Sequence, residues 1–465
     1  MAEGKDPVEP RPGRLTRRDL LRKAGAGAAA IGVLGGPAQY AFAGPMKYKH
    51  KQLKGDLRIL QWAHFVPAYD TWFDGTWTKQ WGEKNDVSVH VDHINNTLLY
   101  ATATAEVAAQ SGHDLFQFLS PPSSFQKQVV PVTDIVQEVT KKLGKMSDVG
   151  YRSTYNPRTK SFFGFPDNYV PDPVHFRHSL WSNVGIGPNT WDHVLQAAPK
   201  LKAAGHPIGL GMSNELDSNM FLRSLMYCFG GAEQTADNKP NINTKGNIEA
   251  LKYMRALFKA GETDEVFAWT PASNNQGFLA GRLSLVLNAI SIARSAEQGG
   301  NTALSDDTWV WPIPAGPGGR LGNEHVMGVY VIWKFGKNPE AAKKYLVDQQ
   351  LAYVQHFLNS QFYNFPAWTG AIKGGFKGIH KLAARDKHKP LGKYTILATI
   401  AEKFTTNPGH PGYANAVIDE AFNTFLIPQM FAEVAQDKMT PQDAVKSMQG
   451  QYMNLYRKWK AQGLV

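Results

Sequence analysis

The chain has 465 residues, 43% of them hydrophobic and 19% charged, and a formal net charge of +11. That length exceeds one ordinary core and implies two domains of soluble, globular composition. The single cysteine, Cys228, excludes an internal disulfide and a cysteine-based zinc site; within FLRSLMYCFGG it reads as a small buried apolar side chain.

Residues 1–43 hold seven Lys/Arg and four Asp/Glu, which leaves a net +8 on the remainder. No Lys/Arg stripe with interleaved aromatics runs through that remainder, so the charge reads as a basic soluble surface and not as a nucleic-acid footprint. Thr16-Arg17-Arg18-Asp19-Leu20-Leu21-Arg22-Lys23 has the twin-arginine export pattern, followed by an Ala/Gly-rich apolar stretch and Ala41-Phe42-Ala43. The pattern predicts a signal peptide over 1–43, cleavage after Ala43 and a periplasmic mature protein.

Leu57 to Trp62 reads as a buried strand and Val87 to Asp92 as a second, alternating one. A helix carrying Trp72, Phe73, Trp77 and Trp81 lies between them, its aromatics forming a buried face. A third strand is expected at Leu115 to Phe118. In an open α/β sheet, ligands gather beyond the carboxyl ends of the strands. That rule selects Trp62, His64, Phe65, Asn95, Asn96 and Ser120, with core roles for Trp62 and Phe65 and a structural role for His64 as the alternatives.

In SNVGIGPNTWDHVLQAAPKL, a Gly-Ile-Gly-Pro turn precedes Thr190, which is placed to cap a helix opening on Trp191 and Asp192. Val194, Leu195, Ala198 and Leu201 then share one face. Further on, an amphipathic helix is expected over Asn247–Ala260, a strand over Leu283–Leu287, a Pro/Gly turn after Trp311, a strand over Val326–Ile332, and a Pro-initiated helix after Thr440. There is no HExxH, no GxSxG and no GxxxxGK[ST], so no catalytic residue, metal site or cofactor is expected.

The order of these words resembles the family 1 extracellular solute-binding proteins of bacterial ABC importers. The matching pieces are Gly-His-Asp114 before the third strand, Phe162-Phe163-Gly164-Phe165-Pro166, the stretch Gly185-Ile186-Gly187-Pro188-Asn189-Thr190-Trp191-Asp192, Phe278-Leu279-Ala280-Gly281-Arg282, Pro312-Ile313-Pro314, Asn338-Pro339-Glu340-Ala341-Ala342 and Thr440-Pro441-Gln442-Asp443-Ala444. One departure is Ser179, where the family usually places Asp. The resemblance implies an α/β, two-lobed periplasmic-binding-protein fold with hinge strands. The first lobe would use 44–166 plus 309–356, the second 167–308 plus 357–465. It adds Asp167, Asn168 and Tyr169 at the crossing, Trp269 as a stacking platform, Asn288 and Ser291 at a strand end, and Tyr363 and Trp368 as aromatics offered to the ligand.

The implied function is capture of a sugar or oligosaccharide by a monomeric receptor and its delivery to a membrane permease, without enzymatic chemistry. A polyamine, a phosphorylated polyol or an Fe(III) complex on the same fold is the alternative ligand. A secreted polysaccharide-active enzyme, with two cleft carboxyls about 5–10 Å apart, is the alternative class.

Overall fold

The computed structural model describes residues 53–465; the signal-peptide and cleavage expectations fall outside them. Among the described residues, ten strands form the two larger sheets. β1 (Asp56–Trp62), β2 (Ser88–Ile94), β3 (Leu115–Phe118), β4 (Phe165–Val170), β9 (Val326–Ile332) and β10 (Phe365–Pro366) form the first, in the order β10-β4-β9-β3-β1-β2. The second contains β5 (Val174–Arg177), β6 (Ile208–Gly209), β7 (Leu285–Leu287) and β8 (Thr308–Trp311), in the order β8-β5-β7-β6.

Sequence pattern tracks position in the first sheet. β9 is central and buried at all seven residues, VMGVYVI, as expected for a strand covered on both faces. β2 is an edge strand and alternates in exposure. β1 runs parallel to β2 and β3, whereas β9 runs antiparallel to β3 and β4, and β10 antiparallel to β4. The carboxyl ends of β1 to β4 and the amino ends of β9 and β10 therefore lie along one edge.

Helices cover both sheets, and their starts are capped as the sequence indicates. Thr190 accepts the His193 N–H at 3.1 Å and opens α2 (Trp191–Ala203), whose Trp191, Val194, Ala197, Ala198 and Leu201 are buried; α1 is Thr133–Leu143. Glu215 caps α3 (Leu216–Cys228), and Thr244 caps α4 (Lys245–Gly261). α5 (Ser291–Gln298) follows β7; α6 is Pro339–Leu351, α7 Ala416–Asn423 and α8 Pro441–Ala461, the last capped by Thr440. Among the described residues no helix is long and apolar enough to cross a membrane.

Each sheet has its own large apolar core. Trp181, Trp191, Phe221, Met254, Leu285, Phe431 and Tyr452 belong to the second. Leu60, Phe116, Val329, Trp333, Phe357, Tyr363, Ile379, Tyr394 and Ala401 belong to the first. The chain is thus divided differently from the sequence expectation. Residues 357–401 pack with the first sheet, not the second, because β10 returns alongside β4. Within 309–356, β8 pairs with β5 in the second sheet and only β9 onward joins the first. Cys228 is fully buried in the second core, its thiol donating to the carbonyls of Pro314 and Leu321 and pushed up in pKa by burial.

Candidate functional site

In the second sheet, β6 and β7 are parallel, so their carboxyl ends lie side by side. β7 runs straight into Asn288-Ala289-Ile290-Ser291, and Ala289, Ile290 and Ala293 pack in the core of the first sheet. Val310 of β8 does the same. The carboxyl ends of β6, β7 and β8, with the amino end of the antiparallel β5, thus face the shared edge of the first sheet, and a buried polar layer lies between.

The first sheet contributes rings to that layer. Trp62 ends β1 and stacks on His64 at 4.7 Å, with Phe65 at 5.0 Å and Tyr363 at 6.3 Å. His64 Nδ1 accepts the Val66 N–H at 2.9 Å, which leaves Nε2 to donate to Asn364 Oδ1 at 3.3 Å. Burial lowers its pKa to about 4, so it is a neutral, fixed imidazole. Tyr363 is fully buried 4.9 Å from His64, and its hydroxyl has no hydrogen-bond partner among the described residues.

The second sheet contributes amides and a carboxylate. Asn288 Nδ2 donates to Asn274 Oδ1 at 3.1 Å and to Asp217 Oδ2 at 3.4 Å. Asp217 stands in the first turn of α3, whose N-cap Glu215 accepts the Asp217 and Ser218 N–H groups. Ser291 Oγ is buried without a partner among the described residues. Between the two sheets, His325, just before β9, places Nδ1 3.0 Å from Asp172 Oδ1 and Nε2 3.5 Å from Asp217 Oδ1. Burial works against a charged imidazole, but Asp217 and Asp172 together hold its pKa above the usual value.

Two polar clasps join the cores beside this layer. Ser124, beyond β3, donates its N–H and hydroxyl to Asp419 Oδ2 of α7 at 2.7 and 2.6 Å. On α5, Arg294 pairs with Asp386 at 2.9 Å and lies 3.8 Å over the Tyr394 ring, and Glu297 pairs with Lys393 at 2.7 Å. Glu297, Asp386 and His388 bring ligating atoms within 4.8 Å of one another; Arg294 and Lys393 already supply there the positive charge a metal ion would bring.

Trp62, His64, Asn288, Ser291 and Tyr363 thus meet in one layer, with Phe65 half-buried at its rim. Ser120 is buried beyond β3, on the same edge. The others are placed differently. Asn95 is exposed and caps the turn at Asn96–Leu98 by accepting from Thr97, with Asn96 inside that turn. Asp167 lies back from the edge in β4 and accepts from Gln117, Asn168, Gln349 and Gln350, a network drawn from one lobe. Tyr169 is fully buried and directed to the Ala401 carbonyl at 3.4 Å. Trp368 is carried away from the edge because β10 runs antiparallel to β4; it packs on Phe165 and donates to Thr140 Oγ1 of α1 at 3.0 Å. Trp269 packs over the strand end at Gly209 and Gly211, where a Cβ would lie 3.1 and 3.3 Å from its ring.

Asp172, Asp217, Asn274 and His325 were missed by sequence reasoning. The signals were present: Asp172 between two prolines at a strand end, Asp217 in a Ser-Asn-Glu-Leu-Asp cap after a strand, and His325 at the mouth of an apolar strand. Away from this layer, a surface groove runs along β5, β8 and the turn before α2, lined by Phe176, Trp181, Ile186, Pro188, Trp309 and Trp311.

Two α/β halves with opposed strand ends and a shared polar layer define a two-lobed binding protein. Residues 61–347, more than half of the chain, match the family model described as "Bacterial extracellular solute-binding protein", and the chain belongs to that family. Solved structures share the fold at low identity. Maltose-bound MalE3 of T. maritima superposes with a TM-score of 0.70 at 17% identity, over 86% of this chain and 100% of that one. A sugar transporter of Arthrobacter chlorophenolicus A6 with bound laminaribiose gives 0.70, 17%, 86% and 99%. The GacH receptor of Streptomyces glaucescens, solved unliganded and with acarbose, gives 0.69, 14%, 87% and 98%. Among curated proteins, none matches the sequence of this chain.

Proposed function

We propose that this protein is the substrate receptor of an ABC importer, that it binds a sugar or oligosaccharide between its lobes, and that it delivers this cargo to a membrane permease. The observation that carries the reading is the polar layer itself. Two aromatic rings, Trp62 and Tyr363, stand on one sheet's edge and face Asp217, Asn288 and Ser291 on the other's. A pyranose presents a C–H face to an aromatic ring and hydroxyls to amides and carboxylates, so this pairing of groups suits it. The maltose, laminaribiose and acarbose complexes of structural relatives support the same class.

In this reading the lobes comprise residues 53–172 with 325–404, and 173–324 with 405–465. The chain crosses between them at Asp172, at His325 and near Thr406. Solute bridges the lobes, and closure is favoured by the contacts that exist only when they meet, the two clasps included. The protein is exported through the twin-arginine route, loses residues 1–43, acts in the periplasm as a monomer, and performs no chemistry on its cargo.

A thermal-shift screen of the purified protein against mono- and oligosaccharides, polyols, polyamines and iron complexes tests it. A ligand at a hundred times its Kd adds about 2.7 kcal/mol of stability, a clear rise in midpoint. The expected responder is a carbohydrate. Silence from every carbohydrate, with a response to a polyamine, a polyol phosphate or an iron complex, overturns the substrate class.

A further inference from the structure

The polar layer has a charge imbalance that narrows its cargo; this rests on the reading above that the layer binds a carbohydrate. Asp172 is 3% exposed and Asp217 8%. The cation paired with both is His325, at 3.0 and 3.5 Å. One imidazolium thus stands against two carboxylates. Two other buried carboxyls stand close by: Glu215 is occupied as the cap of α3 by the N–H groups of Asp217 and Ser218 and the Ser218 hydroxyl, and the Glu324 side chain, beside His325, has no hydrogen-bond partner among the described residues and is held well above the ordinary carboxylate range by burial, so it keeps its proton and adds no charge. The buried cations nearby are committed elsewhere: Arg294 to Glu297, Asp386 and the Gln361 carbonyl, and Lys393 to Glu297.

Two further observations point to a ligand. The Tyr363 hydroxyl, wholly buried and unpartnered, lies in the electrostatic field of Asp217 and Asp172. Ser291 Oγ, 2% exposed, is unpartnered three residues beyond Asn288. Asp217 Oδ1 is beyond hydrogen-bond length from His325 Nε2, and a tenth of the Asp217 side-chain surface is still accessible. An acceptor carrying excess negative charge and two uncommitted hydroxyls are therefore close together.

We propose that the cargo is a carbohydrate bearing a protonated amine, an amino sugar or an oligosaccharide of amino sugars, whose ammonium is held by Asp217 and Asp172 while its hydroxyls meet Tyr363, Ser291 and Asn288. An ammonium brings three donors and the missing positive charge. A neutral sugar satisfies the hydroxyls and leaves the carboxylates uncompensated. A sugar phosphate adds like charge and is rejected.

The test is calorimetric titration of the purified protein with glucosamine and its β-1,4 oligomers of two to four units, alongside glucose, cellobiose, N-acetylglucosamine, chitobiose and putrescine. An amine-bearing sugar is expected to bind roughly 30-fold or more tighter than its neutral or acetylated counterpart. In D217N that ratio falls to about threefold or less; D172N, with circular dichroism on both variants, provides the same readout should D217N fold poorly. Neutral sugars binding as tightly as their amines overturn the charge inference and leave the sugar receptor standing. Putrescine binding without any sugar overturns the sugar reading as well. Silence from every glucosamine oligomer overturns the inference.

Discussion

Two buried carboxylates, Asp167 and Asp217, show what separates a core network from a binding layer. Asp167 sits in β4 of the first sheet and is met by four side-chain amides, from Gln117, Asn168, Gln349 and Gln350. Its donors come from three elements of one lobe, β3, β4 and α6. Asp217 accepts from the Asn274 and Asn288 amides, but it shares a single histidine with Asp172, spans the meeting of the two sheets, and lies near hydroxyls that have no partner among the described residues. A buried carboxylate surrounded by its own donors is structural, whereas one left short of charge beside orphan hydroxyls is where a ligand completes the hydrogen bonding.

The sharpest way to break this contrast is Asp167→Ala. It strands the Gln117, Asn168 and Gln349 amides inside the core and leaves Gln350 only the Asp167 backbone carbonyl, with an expected loss of about 3 kcal/mol in chemical denaturation and ligand affinity changed by less than about threefold. An affinity loss larger than the stability loss would make Asp167 part of the site. Tyr363→Phe should do the reverse: removing an unpartnered buried hydroxyl raises stability by about 1 kcal/mol and weakens ligand binding about tenfold.

Titration separates the pair further. Burial raises the Asp167 pKa from 3.8 to about 7, with its amide donors working in the opposite direction. The native state therefore holds this proton where the unfolded state has released it. Asp167 thus contributes stability that is present below about pH 4 and lost as pH rises toward about 7. Asp167→Asn should flatten that decline in a series of denaturation curves from pH 4 to 8; an unchanged slope would remove Asp167 as its source. The smallest effect is expected from Trp368→Phe. It loses one hydrogen bond to Thr140, costs about 1 kcal/mol, and leaves binding unaltered because the ring faces α1.

The fold was readable where local chemistry and periodicity agree. The Thr190, Asn338 and Thr440 caps form where the sequence places helix starts, and Thr244 opens its helix two residues before the expected Asn247. The strand-end rule selected Trp62 and His64, which the structure places together at the end of β1, because the rule follows from topology and not from any one side chain. Depth along a strand was not readable. Asp167 and Tyr169 lie only five and three residues before Asp172, and it is the register of β4 with β9 and β10 that carries one set into the core and the other to the edge. Trp368 was misjudged for the same reason. The His325 pairing with Asp172 and Asp217 joins residues from three separate stretches, a contact no local pattern announces.

The lone thiol has a practical consequence. Cys228 is sealed in the second core between two carbonyls, and its raised pKa keeps it protonated and unreactive. A cysteine introduced at Leu98, which is 53% exposed just beyond the strand end that carries Asn95, would be the one thiol a maleimide dye reaches in the native protein. The natural sequence thus already permits single-site labelling, with no native residue to remove, for a fluorescent reporter of lobe closure.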